Sequence, residues 1–212
     1  MTTEILDYDR LDQTPPASDP FAHVLVSEFV PPSRLPEVIA GLPAMSNGGS
    51  FPPSSLRLGA AARELVEALE GPRFRRSVAE KFDLDLGGAP TMLTVRGRTR
   101  EKDGQIHRDS SAKRVTVLLY LNPETEAWAR RDGCLRLLRS PTDLEDYAVE
   151  VPPVNGTLLI FPNGPTTWHG HRTFVGRRYA IQLNYMEDGA KARAEMRRHK
   201  LSAVLKRFAS AA

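Results

Sequence analysis

The chain has 212 residues, 41% hydrophobic and 26% charged, a balance that fits a soluble folded domain and excludes a disordered segment. Its net charge of +3 is too small to argue for nucleic acid, and no apolar run approaches the roughly 20 residues that span a bilayer. The acidic, proline-rich start MTTEILDYDRLDQTPPASDPF lacks the basic and apolar regions of a secretory signal, and one cysteine, Cys134, cannot form an internal disulfide, so a reducing compartment, the cytoplasm, is expected.

In chain order, residues 1–20 read as a loose N-terminal arm. AHVLVSEFV (22–30) has the β-branched, apolar character of a strand, and SRLPEVIAGL reads as a short helix with Ser33 as its N-cap. NGGSFPPSS (47–55) is a loop by its Gly, Pro and Ser content. AAARELVEALEG (60–71) is amphipathic and stops at Gly71. PRFRRSVAEKFDL (72–84) follows as a second helix with Pro72 in its first turn. From about residue 90 strands take over: PTMLTVRGRTR, RVTVLLYLN (114–122), LRLL, DYAVEV, GTLLIF, TTWHGH and RRYAIQLNYM. RVTVLLYLN is nearly all apolar, which predicts burial on both faces. Helix returns after about residue 187.

Helices, then a run of short strands, then a closing helix predict one domain over residues 1–212 of α+β, mainly β class: support elements over 21–89, a β core over 90–186, and a C-terminal helix over 187–212. Basic runs at 73–76, 96–102 and 191–207 carry no interleaved aromatics, so they read as solvated faces and no nucleic-acid partner is expected.

The chemistry concentrates in two stretches. GQIHRDSS (104–111) places His107 and Asp109 two residues apart, and TTWHGHRTFVGRRYAIQLNYM (166–186) supplies His169, His171, Arg177 and Arg178. Two imidazoles and one carboxylate on one face of an octahedron are a ligand set for non-haem Fe(II) that leaves places for a co-substrate and dioxygen. His169 and Arg178 are nine residues apart, which suits a ligand at one strand end and an arginine inside the next. Alternation puts Thr116, Leu118 and Tyr120 on one face of their strand, and Arg178, Ala180, Gln182 and Asn184 on one face of theirs. Arg177 then faces away from Arg178.

Together HRD (107–109), VTVLLYLN (115–122), DGCLRL (132–137), GTLLIFP (156–162), WHGH (168–171) and RRYAIQLNYM (177–186) resemble the 2-oxoglutarate and Fe(II)-dependent dioxygenase superfamily, prolyl-hydroxylase-like branch. The resemblance covers about residues 90–186. It implies a double-stranded β-helix, a jelly-roll or cupin-like barrel, with iron at its mouth. It also implies His107, Asp109 and His169 as iron ligands, and Arg178, helped by Tyr120, as the partner of the co-substrate's distal carboxylate. Thr116, Gln182 and Asn184 are candidate contacts to co-substrate, metal-bound water or substrate. His171 is either a substrate contact or a hydrogen-bonded wall residue.

The implied reaction is hydroxylation of a C–H bond, using O2 and converting 2-oxoglutarate to succinate and CO2. Halogenation is disfavoured, because in this superfamily it goes with loss of the acid that Asp109 supplies. The substrate, a peptidyl or free amino acid, a small metabolite or a glycan precursor, does not follow from these residues, nor does the oligomeric state. One departure stands out: the branch usually has a tyrosine or similar donor on the strand before the His-x-Asp pair, and TVRGRTREKDGQ has none, so either Arg96 or Arg98 substitutes or the site lacks that contact. Residues 123–131 are expected as a loop near the mouth, with Trp128 as a packing or lid residue. A rival reading is a cupin-like binding or sensor module with its metal structural or absent, or a metal-dependent sugar isomerase, and of these the isomerase calls for His171 and Glu187 as ligands.

Overall fold

The structure, a computed structural model, describes residues 4–125 and 128–198. Its centre is a five-stranded antiparallel sheet. The strands are β1 (Val24–Val26), β2 (Thr91–Thr99), β3 (Lys113–Tyr120), β6 (Leu158–Pro162) and β8 (Gly176–Met186), in the spatial order β1-β6-β3-β8-β2. A smaller antiparallel sheet holds β4 (Leu135–Leu138), β5 (Tyr147–Val151) and β7 (His169–Gly170), in the order β5-β4-β7.

Alternation along the strands gives the large sheet two different faces. Val115, Val117 and Leu119 of β3 and Tyr179, Ile181 and Leu183 of β8 join the larger apolar core. That core continues into α1 (Tyr8–Gln13), α2 (Leu35–Ala40), α3 (Ala60–Glu70) and α4 (Pro72–Phe82). Leu118 and Tyr120, with Ala180 and Phe161, face the other way and form a second core with Leu135, Leu137 and Val151 of the small sheet. The expected burial of β3 on both faces is therefore observed, because one strand serves both cores.

The helices form for local reasons. In α3, Ala62, Leu65, Val66 and Leu69 recur at helical spacing and are all buried. Each large apolar side chain sunk in this way contributes about 1.5–3 kcal/mol. Pro72 opens α4, where a missing backbone N–H costs nothing, and Asp83 closes it in the left-handed conformation at φ 49°.

Several expectations need correction. The N-terminal arm is docked, not loose: Ile5, Leu6, Tyr8 and Leu11 are buried, Tyr8 packs edge-on against Phe29, and Arg73 reaches back to Glu4. The strand expected over 22–30 is only three residues long, because the chain turns at Glu28 with φ 52°. The second helix is preceded by Arg34 rather than capped by Ser33, with proline in its first turn. TTWHGH contributes only His169–Gly170 to strand. The last helix starts at residue 190, and 199–212 lie outside the described residues.

Candidate active site

The site lies between the two sheets at one end. His107 and His169 are joined as an antiparallel bridge, each backbone N–H donating to the other's carbonyl at 3.0 Å. This pairing puts the two rings 4.4 Å apart between centroids. It needs close approach of residues 104–106 to β7. A Cβ on Gly170 would stand 3.0 Å from the Gly104 carbonyl, and Gly104 itself sits at φ 96° against His171. His169 also packs 5.2 Å from the Phe161 ring, so a small-sheet residue meets the large sheet here.

One ligand atom from each of His107, Asp109 and His169 lies within 4.8 Å of the others. The Nδ1 of His107 is hydrogen-bonded to the Gln105 carbonyl at 2.8 Å, and the Nδ1 of His169 to the Thr167 carbonyl at 2.9 Å. With Nδ1 carrying the proton, each ring keeps its Nε2 lone pair for a metal, the outer support seen in histidine metal sites. Asp109 is held as well: Lys113 donates to Oδ1 at 2.7 Å and Thr116 to Oδ2 at 2.5 Å. Burial alone would raise its pKa. The charges of Lys113 and His169 and the two hydrogen bonds outweigh that, and the carboxyl stays below its usual value. Burial, followed by the charge of His107, pushes His169 down to about 4, so it is neutral near pH 7, the form that ligates metal. An N, N, O donor set without thiolate suits Fe(II).

A cavity of about 320 Å³ extends from His107 and His169 over the large sheet, lined by Thr116, Leu118, Tyr120, Arg178, Ala180 and Gln182 among others. Arg178 is buried, donates from Nε to the Gly133 carbonyl at 2.9 Å, and has its guanidinium carbon 5.0 Å from the Tyr120 ring centroid. Burial raises the Tyr120 phenol despite the charge of Arg178 and a hydrogen bond from it. Among the described residues Arg178 has no carboxylate within the 4.0 Å of an ion pair, so its charge is open to an anion in the cavity. Arg177 lies on the other side of β8, stacked over Tyr179.

Other expected residues fall in different places. Asn184 does not line the cavity: its Oδ1 is 3.3 Å from Gln182 Nε2 and 3.4 Å from Thr116 Oγ1, and its amide reaches the Met92 carbonyl, so it sits behind Thr116. His171 lines the cavity but stands outside the three-residue cluster, its Nδ1 bonded to the Arg172 carbonyl. Burial, then the charge of Arg178, lowers it to about 4. Glu187 lies 3.9 Å from Arg114, outside the cluster. Trp128 does not border the cavity either. It packs 4.8 Å from Phe174 and, like Phe174, lies against Gly133, the residue that holds Arg178. Lys113 was missed in the sequence. Its only signal was a spacing of four from Asp109 across a non-helical turn.

Residues 96–186 match the family model of the 2OG-Fe(II) oxygenase superfamily. Over this β core the chain is similar to that superfamily. That superfamily is one of oxygenases that use Fe(II), 2-oxoglutarate and O2. Solved structures share the fold. A Pseudomonas putida prolyl-4-hydroxylase aligns at 17% identity and TM-score 0.55, over 85% of this chain and 91% of that one. A prolyl 4-hydroxylase of Phytophthora capsici aligns at 16% and 0.54, over 91% and 68%. The viral collagen prolyl hydroxylase of Paramecium Bursaria Chlorella virus-1 aligns at 14% and 0.51, over 80% and 92%. The oxygenase fold is the double-stranded β-helix, here realised as the two facing antiparallel sheets. No curated protein sequence matches the chain. Among the described residues no helix is long and apolar enough to cross a membrane.

Proposed function

We propose that this dioxygenase hydroxylates a C–H bond of its substrate, with His107, Asp109 and His169 holding Fe(II) and Arg178 receiving the far carboxylate of 2-oxoglutarate. The observation that carries the reading is the three-residue cluster whose two imidazole Nδ1 atoms are already committed to backbone carbonyls. When bound, iron supplies the activation of O2 that couples oxidation of the co-substrate to succinate and CO2 with oxidation of the substrate.

The chain's residues do the rest. Thr116 and Lys113 fix the Asp109 carboxylate, and the His107–His169 backbone pair fixes the ring separation. Arg178 and Tyr120 mark the far end of the cavity floor, and Leu118 and Ala180 keep the space between apolar, which limits water around the reacting atoms. Gln182 lies on the same floor as the polar group able to orient a carboxylate or a bound water. The sugar-isomerase alternative finds no support, since neither His171 nor Glu187 joins the cluster.

The test is anaerobic addition of Fe(II) and 2-oxoglutarate, watching for the weak visible charge-transfer band of the chelate. The band is expected in the wild type and is expected to be absent in His169→Ala and in Arg178→Ala at moderate co-substrate. Iron binding with no band at any 2-oxoglutarate concentration would overturn the reading.

A further inference from the structure

The cavity contains a second arginine that the proposed chemistry does not use. Arg96 on β2 lies beside Ala180 of β8, which in turn lies beside Tyr120 of β3. Arg96 and Tyr120 thus stand in one row across the cavity face, with Arg178 two residues away along β8. Arg96 and Arg178 both line the cavity. Arg96 is an exposed residue, yet protein crowds its guanidinium: desolvation, then the charge of Arg178, lowers its pKa below the usual arginine value. Its Nε donates to Ser50 Oγ at 2.9 Å, which engages one of the guanidinium's five donors. Asp103, an acid on the same wall, is engaged by Arg100 at 3.1 Å, and among the described residues no carboxylate forms an ion pair with Arg96.

Position is fixed from both sides. Phe51 pairs with Val95 along the outer edge of β2, through hydrogen bonds of 3.0 and 2.8 Å. This places Ser50 against Arg96 and Gly49 on the cavity wall. Two crowded guanidiniums repel each other, and one anionic group relieves only one of them. 2-Oxoglutarate has two carboxylates. On the reading above one goes to the metal and the other to Arg178, so the co-substrate leaves Arg96 unanswered. The cavity is also small, near the lower end of the about 300–1,000 Å³ of ligand pockets.

We propose that Arg96 recognises an anionic group, a carboxylate or a phosphate, on a small substrate that shares this cavity with 2-oxoglutarate. The proposal rests on the dioxygenase reading for its co-substrate and on the row Arg96–Ala180–Tyr120 for its geometry. A guanidinium fork binds either anion through paired N–H···O bonds, so the chemistry is shared and experiment separates the two sources.

The test is calorimetric titration of the Mn(II)-loaded chain, first with 2-oxoglutarate and then with acetate or inorganic phosphate as the second anion. In the wild type 2-oxoglutarate and then one of the two probes are expected to bind. Arg96→Gln is expected to weaken the probe about tenfold or more, while 2-oxoglutarate changes by less than about twofold. Arg178→Gln is expected to show the reverse, and Arg96→Lys to recover part of the probe binding, which shows that the site still folds. Equal loss of 2-oxoglutarate in Arg96→Gln and Arg178→Gln would overturn the proposal by making Arg96 a co-substrate ligand. Unchanged probe binding in Arg96→Gln, or no binding of either probe to wild type, would overturn it as well. If 2-oxoglutarate fails to bind the wild type while a probe binds through Arg96, the dioxygenase reading falls and the anion site stands.

Discussion

At the scale of single residues, the His107–Asp109–His169 cluster is held by groups outside it. Thr116 is completely buried and donates a hydrogen bond to Asp109 at 2.5 Å, on the strand that also carries Leu118 and Tyr120. Thr116→Val keeps the shape and removes that hydrogen bond. It is expected to lower Fe(II) or Mn(II) affinity by about 10–100-fold, with a much smaller effect on unfolding, as read by metal titration beside a urea melt. Unchanged metal affinity would mean that Lys113 alone fixes the carboxylate. The residue types were legible in the sequence: His107, Asp109 and His169 come together as their spacing and the resemblance implied. The hydrogen-bonding environment was less so. Lys113 reaches Asp109 because the chain turns between them, with the Lys113 N–H donating to the Ser110 carbonyl, and a pairing that depends on one turn leaves no periodic trace. Asn184 shows the converse limit. Alternation gave its face correctly, but depth along the strand decided that it would sit behind Thr116 rather than on the cavity wall.

At the scale of elements, strands read more easily than their ends. β3 and β8 were evident from β-branched and aromatic residues, whereas β1 stops after three residues because Glu28 adopts a left-handed turn that only neighbouring structure selects. The arm was misread because Ile5, Leu6, Tyr8 and Leu11 make too short a pattern to signal a helix, and their burial comes from α4 and Phe29, distant in sequence. Beyond the end of β3 one side chain couples two strands to a loop. Buried Asn122 accepts from the Tyr179 N–H at 2.7 Å and donates to the carbonyls of Tyr179 and Pro153. Asn122→Ala strands those groups and is expected to cost about 2–4 kcal/mol, seen as a lower urea midpoint with an unchanged slope. Because Arg178 is the next residue along β8 from Tyr179, weaker 2-oxoglutarate binding is expected alongside it.

At the scale of the whole molecule, pH should act through the histidines of the site. His169 and His171 are both lowered from 6.5 to about 4 in the fold, burial being the larger cause in each. The unfolded chain therefore binds more protons than the folded one between those values. Their contribution to stability is complete above about pH 6.5 and is lost as pH falls through about 4. The metal-free chain is expected to lose on the order of a few kcal/mol over that window in urea melts at stepped pH, and His171→Gln to flatten the slope. An equally steep slope in that variant would place the effect elsewhere. The two-faced sheet has a further consequence. Leu118, Ala180 and Gln182 border the cavity, while their immediate neighbours Val117, Leu119, Ile181 and Leu183 belong to the helix-side core. Heredity can therefore edit Leu118, Ala180 and Gln182 to suit a new molecule while the intervening positions keep the scaffold. A library randomised at those three sites alone should yield many folded proteins with altered appetites.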